Sequence, residues 1–171
     1  MIETNKFYKV SAAQFNIACE AMDAFSESEI NRMYEDLKLP MQATSGSAGH
    51  DFFAPFDFEL NPRQGITIPT GIRCRLLHGR FLAVFPRSGL GFKFRLQLDN
   101  TVGIIDEDYF NSENEGHIFI KITNDSAENK TVKVKKSQAF AQGIIMRYEV
   151  AGDAGAQSVR NGGMGSTDAF T

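Results

Sequence analysis

The sequence predicts an all-β domain preceded by a short helical segment, and three observations carry that prediction. From residue 41 onward Gly, Pro, Asn and Asp punctuate short apolar segments at regular intervals. Several of those segments alternate, as Ile118, Ile120 and Ile122 do against Phe119, Lys121 and Thr123. Helical periodicity is confined to residues 11–39. Seven or more short strands in about one hundred residues, without helices between them, point to a sandwich or barrel and away from a parallel sheet.

The helical start divides into two. Ser11 followed by Gln14 resembles a capping box, after which Phe15, Ala18, Cys19, Met22 and Phe25 recur at helical spacing. Ser26 with Glu29 opens a second helix whose stripe of Ile30, Met33, Tyr34 and Leu37 is ended by Pro40. Such a stripe is core packing more often than a cofactor site. The candidate strands are Ile66 to Ile68, Ile72 to Leu77, Phe81 to Phe85, Phe94 to Leu98, His117 to Thr123, Thr131 to Val134 and Phe140 to Val150. Turns at Asn61-Pro62, Pro69-Thr70-Gly71, His78-Gly79 and Asn124-Asp125 separate them. The expected organisation is a helical extension over 1–40, a β-domain over 41–150 and a Gly-rich arm over 151–171. That arm is too poor in apolar residues to build a core.

Composition narrows the function. With 171 residues, 42% hydrophobic and 23% charged, the chain can form one domain with a real core. Its net charge of -3 argues against holding nucleic acid by bulk electrostatics, which needs a basic face to displace counterions. No apolar run is long enough to span a bilayer and residues 1–10 do not read as a signal peptide, so a cytoplasmic protein is expected. Cys19 and Cys74 have neither CxxC spacing nor neighbouring histidines, which speaks against a disulfide framework or a zinc site.

Five segments carry residues that a plain β-domain does not need. Ser47-Ala48-Gly49-His50-Asp51 is a small-residue turn delivering an acid, and Pro86-Arg87-Ser88-Gly89-Leu90 offers a compact set of phosphate donors at a strand end. Gly103-Ile104-Ile105-Asp106-Glu107-Asp108-Tyr109 reads as a tight hairpin with carboxylates at the bend, where a general base would be rigidly held. Gln142 is a polar amide in the apolar strand after Phe140. Arg160 to Thr167 is a glycine-rich loop between an arginine and two hydroxyls. Taken singly, each is most often an ordinary turn, a satisfied amide or a linker. Together they supply backbone that can approach a polyphosphate, directional donors from Arg87, Arg160, Ser88, Ser166 and Thr167, and acids Asp51, Asp106 and Asp108 for a divalent cation. That set favours a nucleoside triphosphate with magnesium, attacked by water. A Walker-type ATPase is excluded because no Gly-Lys-Ser/Thr opens a helix.

The order and content of the five segments closely resemble the five motifs of the trimeric dUTPase family, over about Leu39 to Thr167. The resemblance implies a homotrimer of distorted jelly-roll β-barrels with three active sites shared between subunits. It implies hydrolysis of dUTP to dUMP and pyrophosphate, which limits uracil incorporation into DNA and supplies dUMP for dTMP synthesis. By the same resemblance Asp106 activates the attacking water at the α-phosphate and Tyr109 packs under the sugar. Main-chain groups of Asn100 to Ile105, with Gly103 and Ile105 among them, read the uracil edge. Arg87, Ser88 and Gly89 contact phosphates, Gln142 lies near the phosphates and catalytic water, and Asp51 reaches Mg2+ through water. Arg160, Met164, Gly165, Ser166 and Thr167 fall on the segment that folds over a neighbouring subunit's nucleotide.

The chain departs from the family pattern at several places. Met164 stands where phenylalanine usually covers the uracil, Asp168 where glycine is usual, and Ala139 where arginine often stands. Residues 110–115 make a longer turn than is usual after the tyrosine, and the helical start is an addition. Two other functions compete with the dUTPase reading. One is a dCTP deaminase-type relative, which Asp-x-Asp-Tyr and the full fifth motif disfavour. The other is a regulatory module of the same fold that binds a protein partner through the helical start or the 110–115 insertion.

Overall fold

The computed structural model describes residues 4–152. Its elements in chain order are β1 (Lys6–Lys9), α1 (Ala12–Glu20), α2 (Glu27–Asp36), β2 (Met41–Gln42), β3 (His50–Phe53), β4 (Phe58–Leu60), β5 (Gly65–Pro69), β6 (Ile72–Arg75), β7 (Arg80–Pro86), α3 (Ser88–Phe94), β8 (Leu96–Leu98), β9 (Gly103–Ile105), a 3-10 helix (Glu107–Asn111), β10 (Phe119–Asn124), β11 (Val132–Val134) and β12 (Ala139–Arg147).

Short strands bounded by turn residues pair antiparallel in every case, as the punctuated sequence requires. One sheet has the order β2-β3-β12-β7-β9, a second β5-β10-β8, and two further pairs are β1-β6 and β4-β11. Neighbours in sequence often lie in different sheets, the mark of a jelly-roll-like β-structure. The turn after β8 shows how this works: β8 pairs with β10, whereas β9, only a few residues later, pairs with β7. The space between the sheets is filled by Phe52, Leu82, Ile120, Ile122 and Phe140, all essentially inaccessible to solvent. The predicted alternation is realised in β10, where Ile120 and Ile122 point inward and Lys121 outward.

The two helices form where expected. Ser11 Oγ accepts the Gln14 N–H at 3.1 Å and caps α1, but the reciprocal acceptor is Glu115 in place of Gln14. At α2 the Glu29 carboxylate accepts both the N–H and the hydroxyl of Ser26, at 2.8 and 2.6 Å. Phe15, Cys19, Ile30 and Met33 are buried in the main hydrophobic core, so the apolar stripe is indeed packing. Gly71 has φ +71°, and a Cβ there would come within 2.3 Å of Leu37 Cδ1 and 3.1 Å of the Phe15 ring. The helical segment therefore rests directly on the β5–β6 turn, where only glycine fits.

β2, β3 and β4 are strands where the sequence reading named none, and two further elements differ from it. β1 is a strand inside the predicted helical extension, paired with β6 from Lys6↔Arg75 to Lys9↔Ile72. Only Phe7 of its four residues is buried, so its sequence shows no alternation. Residues 88–94, expected as a turn and the start of a strand, form α3. Leu90 and Phe94 lie four apart and both pack against the core, and Arg95 at φ +50° ends the helix before β8 begins at Leu96. Both cysteines are free and buried, and burial pushes each thiol up to about 12.

Candidate active site

Three adjacent strands converge at one end of the five-stranded sheet. Asp51 on β3 lies opposite Gln142 on β12, which lies opposite Phe85 on β7, so Arg87 emerges from β7 beside both. Arg87 Nε and Asp51 Oδ1 are 3.1 Å apart, with the acid largely buried and the guanidinium half-exposed. Gln142 Nε2 donates to the Pro86 carbonyl at 3.2 Å. At Gly49 an added Cβ would fall 2.6 Å from Gln142 Oε1, so the turn before β3 is pressed against this amide. These groups, with Ala43, Ser47 and Ser88, line a cleft of about 330 Å³. It presents a guanidinium, a hydroxyl and an amide to one space, a donor set suited to phosphate oxygens. The sequence motifs around Asp51, Arg87 and Gln142 are thus brought together. Gly49 and Ser47 take part as close-packed backbone and wall, and Gly89 offers open space with no steric demand for glycine within the chain.

A second cavity, of about 300 Å³, opens between β8, β9 and β10 and is lined by Val84, Leu98, Asn100, Gly103, Ile105 and Phe119. Gly103 packs closely on β7, where a Cβ would meet Val84 Cβ at 3.2 Å. β9 is the edge strand of its sheet, so one side of its main chain is unpaired to any strand within the described residues. Apolar walls with an unpaired peptide edge suit a flat heterocycle carrying both donors and acceptors. At the rim Lys121 Nζ lies 3.1 Å from Asp99, which also accepts the Thr123 hydroxyl at 2.6 Å. That hydroxyl, followed by Lys121, holds the Asp99 carboxyl below its usual range.

Asp106 follows β9 directly. It does not sit at the hairpin bend that the sequence suggests: in extended conformation it precedes the 3-10 helix, and Tyr109 N–H donates to its carbonyl at 3.3 Å. Burial of Tyr109, only 2% exposed, draws the chain inward and replaces the turn-back with a helical turn. The Tyr109 hydroxyl donates to the His117 carbonyl at 2.8 Å and accepts from Asn114 Nδ2 at 2.8 Å. Asp106 and Asp108 themselves are exposed.

The two regions stand apart within one chain. The β7–β9 register, Leu82↔Ile105 and Val84↔Gly103, sets Asp106 beside Phe81, whereas Arg87 follows the far end of β7. The six-residue span from Phe81 to Arg87 is about 20 Å at the rise of a strand. Arg160, Met164, Gly165, Ser166 and Thr167 lie outside the described residues. Among the described residues no cluster of three or more His, Cys, Asp or Glu could cage a metal, and no helix is long and apolar enough to cross a membrane. Asp51 nonetheless offers a hard oxygen ligand in the donor-rich cleft, which fits a magnesium ion that keeps most of its waters and takes phosphate oxygens.

Comparison with known proteins identifies the family. The dUTPase family model matches residues 35–167. The chain is 41% identical over 123 residues to a deoxyuridine 5'-triphosphate nucleotidohydrolase of Dictyoglomus turgidum, covering 70% of this chain and 79% of the relative. It is 37% identical over 136 residues to the protein of that name from Lactococcus lactis, covering 78% and 89%. Among solved structures, a dUTPase from Streptococcus mutans superposes with a TM-score of 0.61 at 28% identity, covering 85% of this chain and 97% of that one. A mutant dUTPase from phage phi11 of S. aureus, described with a coordinated structural Mg(II) ion, shares the fold at TM-score 0.62 and 16% identity, covering 91% and 98%.

Proposed function

The chain belongs to the dUTPase family, and from that premise we propose that it hydrolyses dUTP to dUMP and pyrophosphate through the residues assembled above. The observation that carries the assignment of roles is the base-sized cavity along the unpaired edge of β9, followed at once by the exposed Asp106.

Uracil lies in the cavity with its edge hydrogen-bonded to the main chain between Asn100 and Ile105, where close backbone leaves no room for a 5-methyl group. Asp106 takes the proton from the attacking water, which adds to the α-phosphate in line with the leaving pyrophosphate. A placed general base contributes about 10² to 10⁴-fold. The larger share comes from positioning and charge neutralisation, for which Arg87, Ser88 and Gly89 bind phosphate oxygens and Gln142 orients the water. Asp51 reaches Mg2+ through water, and the ion, when bound, neutralises phosphate charge. Tyr109, buried beneath the turn, supports from below the floor under the sugar that excludes a 2'-hydroxyl. Arg160, Met164, Gly165, Ser166 and Thr167 close over the nucleotide.

The separation of Asp106 from Arg87 supports a site built between subunits, as in a homotrimer in which one subunit supplies the base cavity and another the phosphate cleft. Two free, buried thiols accord with a cytoplasmic protein. Pyrophosphate and ammonia release, measured with magnesium from dUTP, dCTP, dTTP and UTP, tests the reading. Pyrophosphate from dUTP alone supports it; ammonia from dCTP, or equal turnover of dTTP, overturns it.

A further inference from the structure

The segment after Tyr109 is built as a support for the turn that carries Asp106. Tyr109 reaches Asp106 through its own N–H, and its buried hydroxyl is fixed by two partners from the segment that follows, the His117 carbonyl and the Asn114 amide. Asn114 is itself fixed, since its Oδ1 accepts the Gly116 N–H at 3.1 Å and so dictates which end of the amide faces Tyr109. The turn closes tightly: Ser112 N–H donates to the Tyr109 carbonyl at 3.0 Å, Glu115 N–H to the Ser112 carbonyl at 2.8 Å. Gly116, at φ +69°, passes so near that a Cβ would lie 2.7 Å from both Phe110 Cα and the Tyr109 carbonyl.

This segment is in turn pinned from outside. Arg73 Nη2 donates to the Phe110 carbonyl at 2.6 Å, with its guanidinium 3.6 Å from the centre of the Phe110 ring. Glu115 holds the Ser11 N–H and hydroxyl at the start of α1. Asp106 thus has β9 fixing its backbone on one side and, on the other, Tyr109 held by Asn114 in a segment that Glu115 ties to Ser11 of the N-terminal segment.

We propose that Asn114 is a positioning residue for the reaction, holding Tyr109 and through it the direction of the Asp106 carboxylate; the inference rests on Asp106 being the general base. Misplacing a reacting group by a fraction of its hydrogen-bond reach is costly in rate and cheap in binding.

The test is Asn114→Leu, which keeps the branched shape at a larger volume and removes all three hydrogen bonds of the amide, to the Tyr109 hydroxyl, the His117 carbonyl and the Gly116 N–H, in the wild-type and Asp106→Asn backgrounds. In the wild-type background kcat should fall about tenfold with KM for dUTP within twofold, and in Asp106→Asn the same change should cost nothing further. Asn114→Asp, which still accepts from Gly116 and can accept the Tyr109 hydroxyl hydrogen bond in place of the His117 carbonyl, should recover most of kcat and guards against simple unfolding of the leucine variant. Unchanged kcat in Asn114→Leu overturns the proposal. So does an equal loss in both backgrounds, or a loss in Asn114→Asp as large as in Asn114→Leu. Wild-type turnover in Asp106→Asn alone would instead remove the reading of Asp106 beneath it.

Discussion

Glu115 accepts the Ser11 N–H at 2.7 Å and the Ser11 hydroxyl at 2.6 Å, joining the start of α1 to the 110–115 insertion across 104 residues of sequence. The helical start and the 110–115 turn are therefore one structural unit. Its contacts hold the Glu115 carboxyl below its usual range, the Ser11 hydroxyl first and the Ser11 N–H second. Glu115→Ala should destabilise the protein by about 1 kcal/mol, the typical worth of a helix N-cap. Urea denaturation checks this through the midpoint at constant slope.

His117 makes stability depend on pH. Its Nε2 accepts the Gly71 N–H at 2.8 Å, its ring packs 4.4 Å from that of Phe119, and its buried Nδ1 has no partner in the described structure. Burial lowers its pKa to about 4, against a weaker opposing pull from Glu115. The unfolded chain binds this proton below about pH 6.5 and the fold does not, so the contribution is full above pH 6.5. It is lost progressively toward pH 4, by on the order of 3 kcal/mol. Thermal unfolding from pH 7 to 4 should show this slope, and His117→Gln, which keeps an acceptor for Gly71 and does not titrate, should flatten it.

Gly49→Ala probes Gln142 without touching it. The new methyl would lie 2.6 Å from Gln142 Oε1, and the flexible end of that side chain can move, at the expense of its bond to Pro86. Turnover should drop about tenfold through loss of an oriented donor, while the unfolding temperature moves by only a degree or two, a small stability change. Steady-state kinetics and calorimetry on one preparation separate the two effects.

Asp106→Asn should bind dUTP with nearly wild-type affinity and lose turnover by about 10² to 10⁴-fold. Arg87→Ala should weaken binding of the triphosphate as well. If acid and arginine come from different subunits, co-expressing the two variants restores sites that contain both natural residues. In a random trimer that is about one quarter of the sites. Recovery near that level, measured as pyrophosphate release against each variant alone, is the expected outcome.

Met164→Phe should tighten dUTP binding several-fold, because a planar ring stacks on uracil where methionine offers only a polarizable chain. Titration calorimetry with dUTP in the Asp106→Asn background measures this without turnover.

Much of the site was legible in the sequence because its chemistry is carried by short motifs whose residue types are unusual for a β-domain. Asp51, Arg87 and Gln142 could each be singled out, and the structure brings them to one cleft. Their partners were not legible. The pressure of Gly49 on Gln142 depends on how β3 and β12 lie side by side, and the edge position of β9 depends on which sheet it joins. β1 is hidden because only Phe7 of it is buried, and α3 because glycines interrupt its short apolar face.

The amino-acid sequence by itself determined the all-β class, the two N-terminal helices and the identity of the chemical groups, since these follow from local periodicity, capping residues and composition. Only the tertiary structure decided that Asp106 precedes a helical turn and not a hairpin bend, that Tyr109 is anchored by Asn114 and His117, and that acid and arginine stand at opposite ends of β7. Those outcomes arise from pairings and packing between residues far apart in the chain, where burial of one ring or the register of one strand outweighs any local preference.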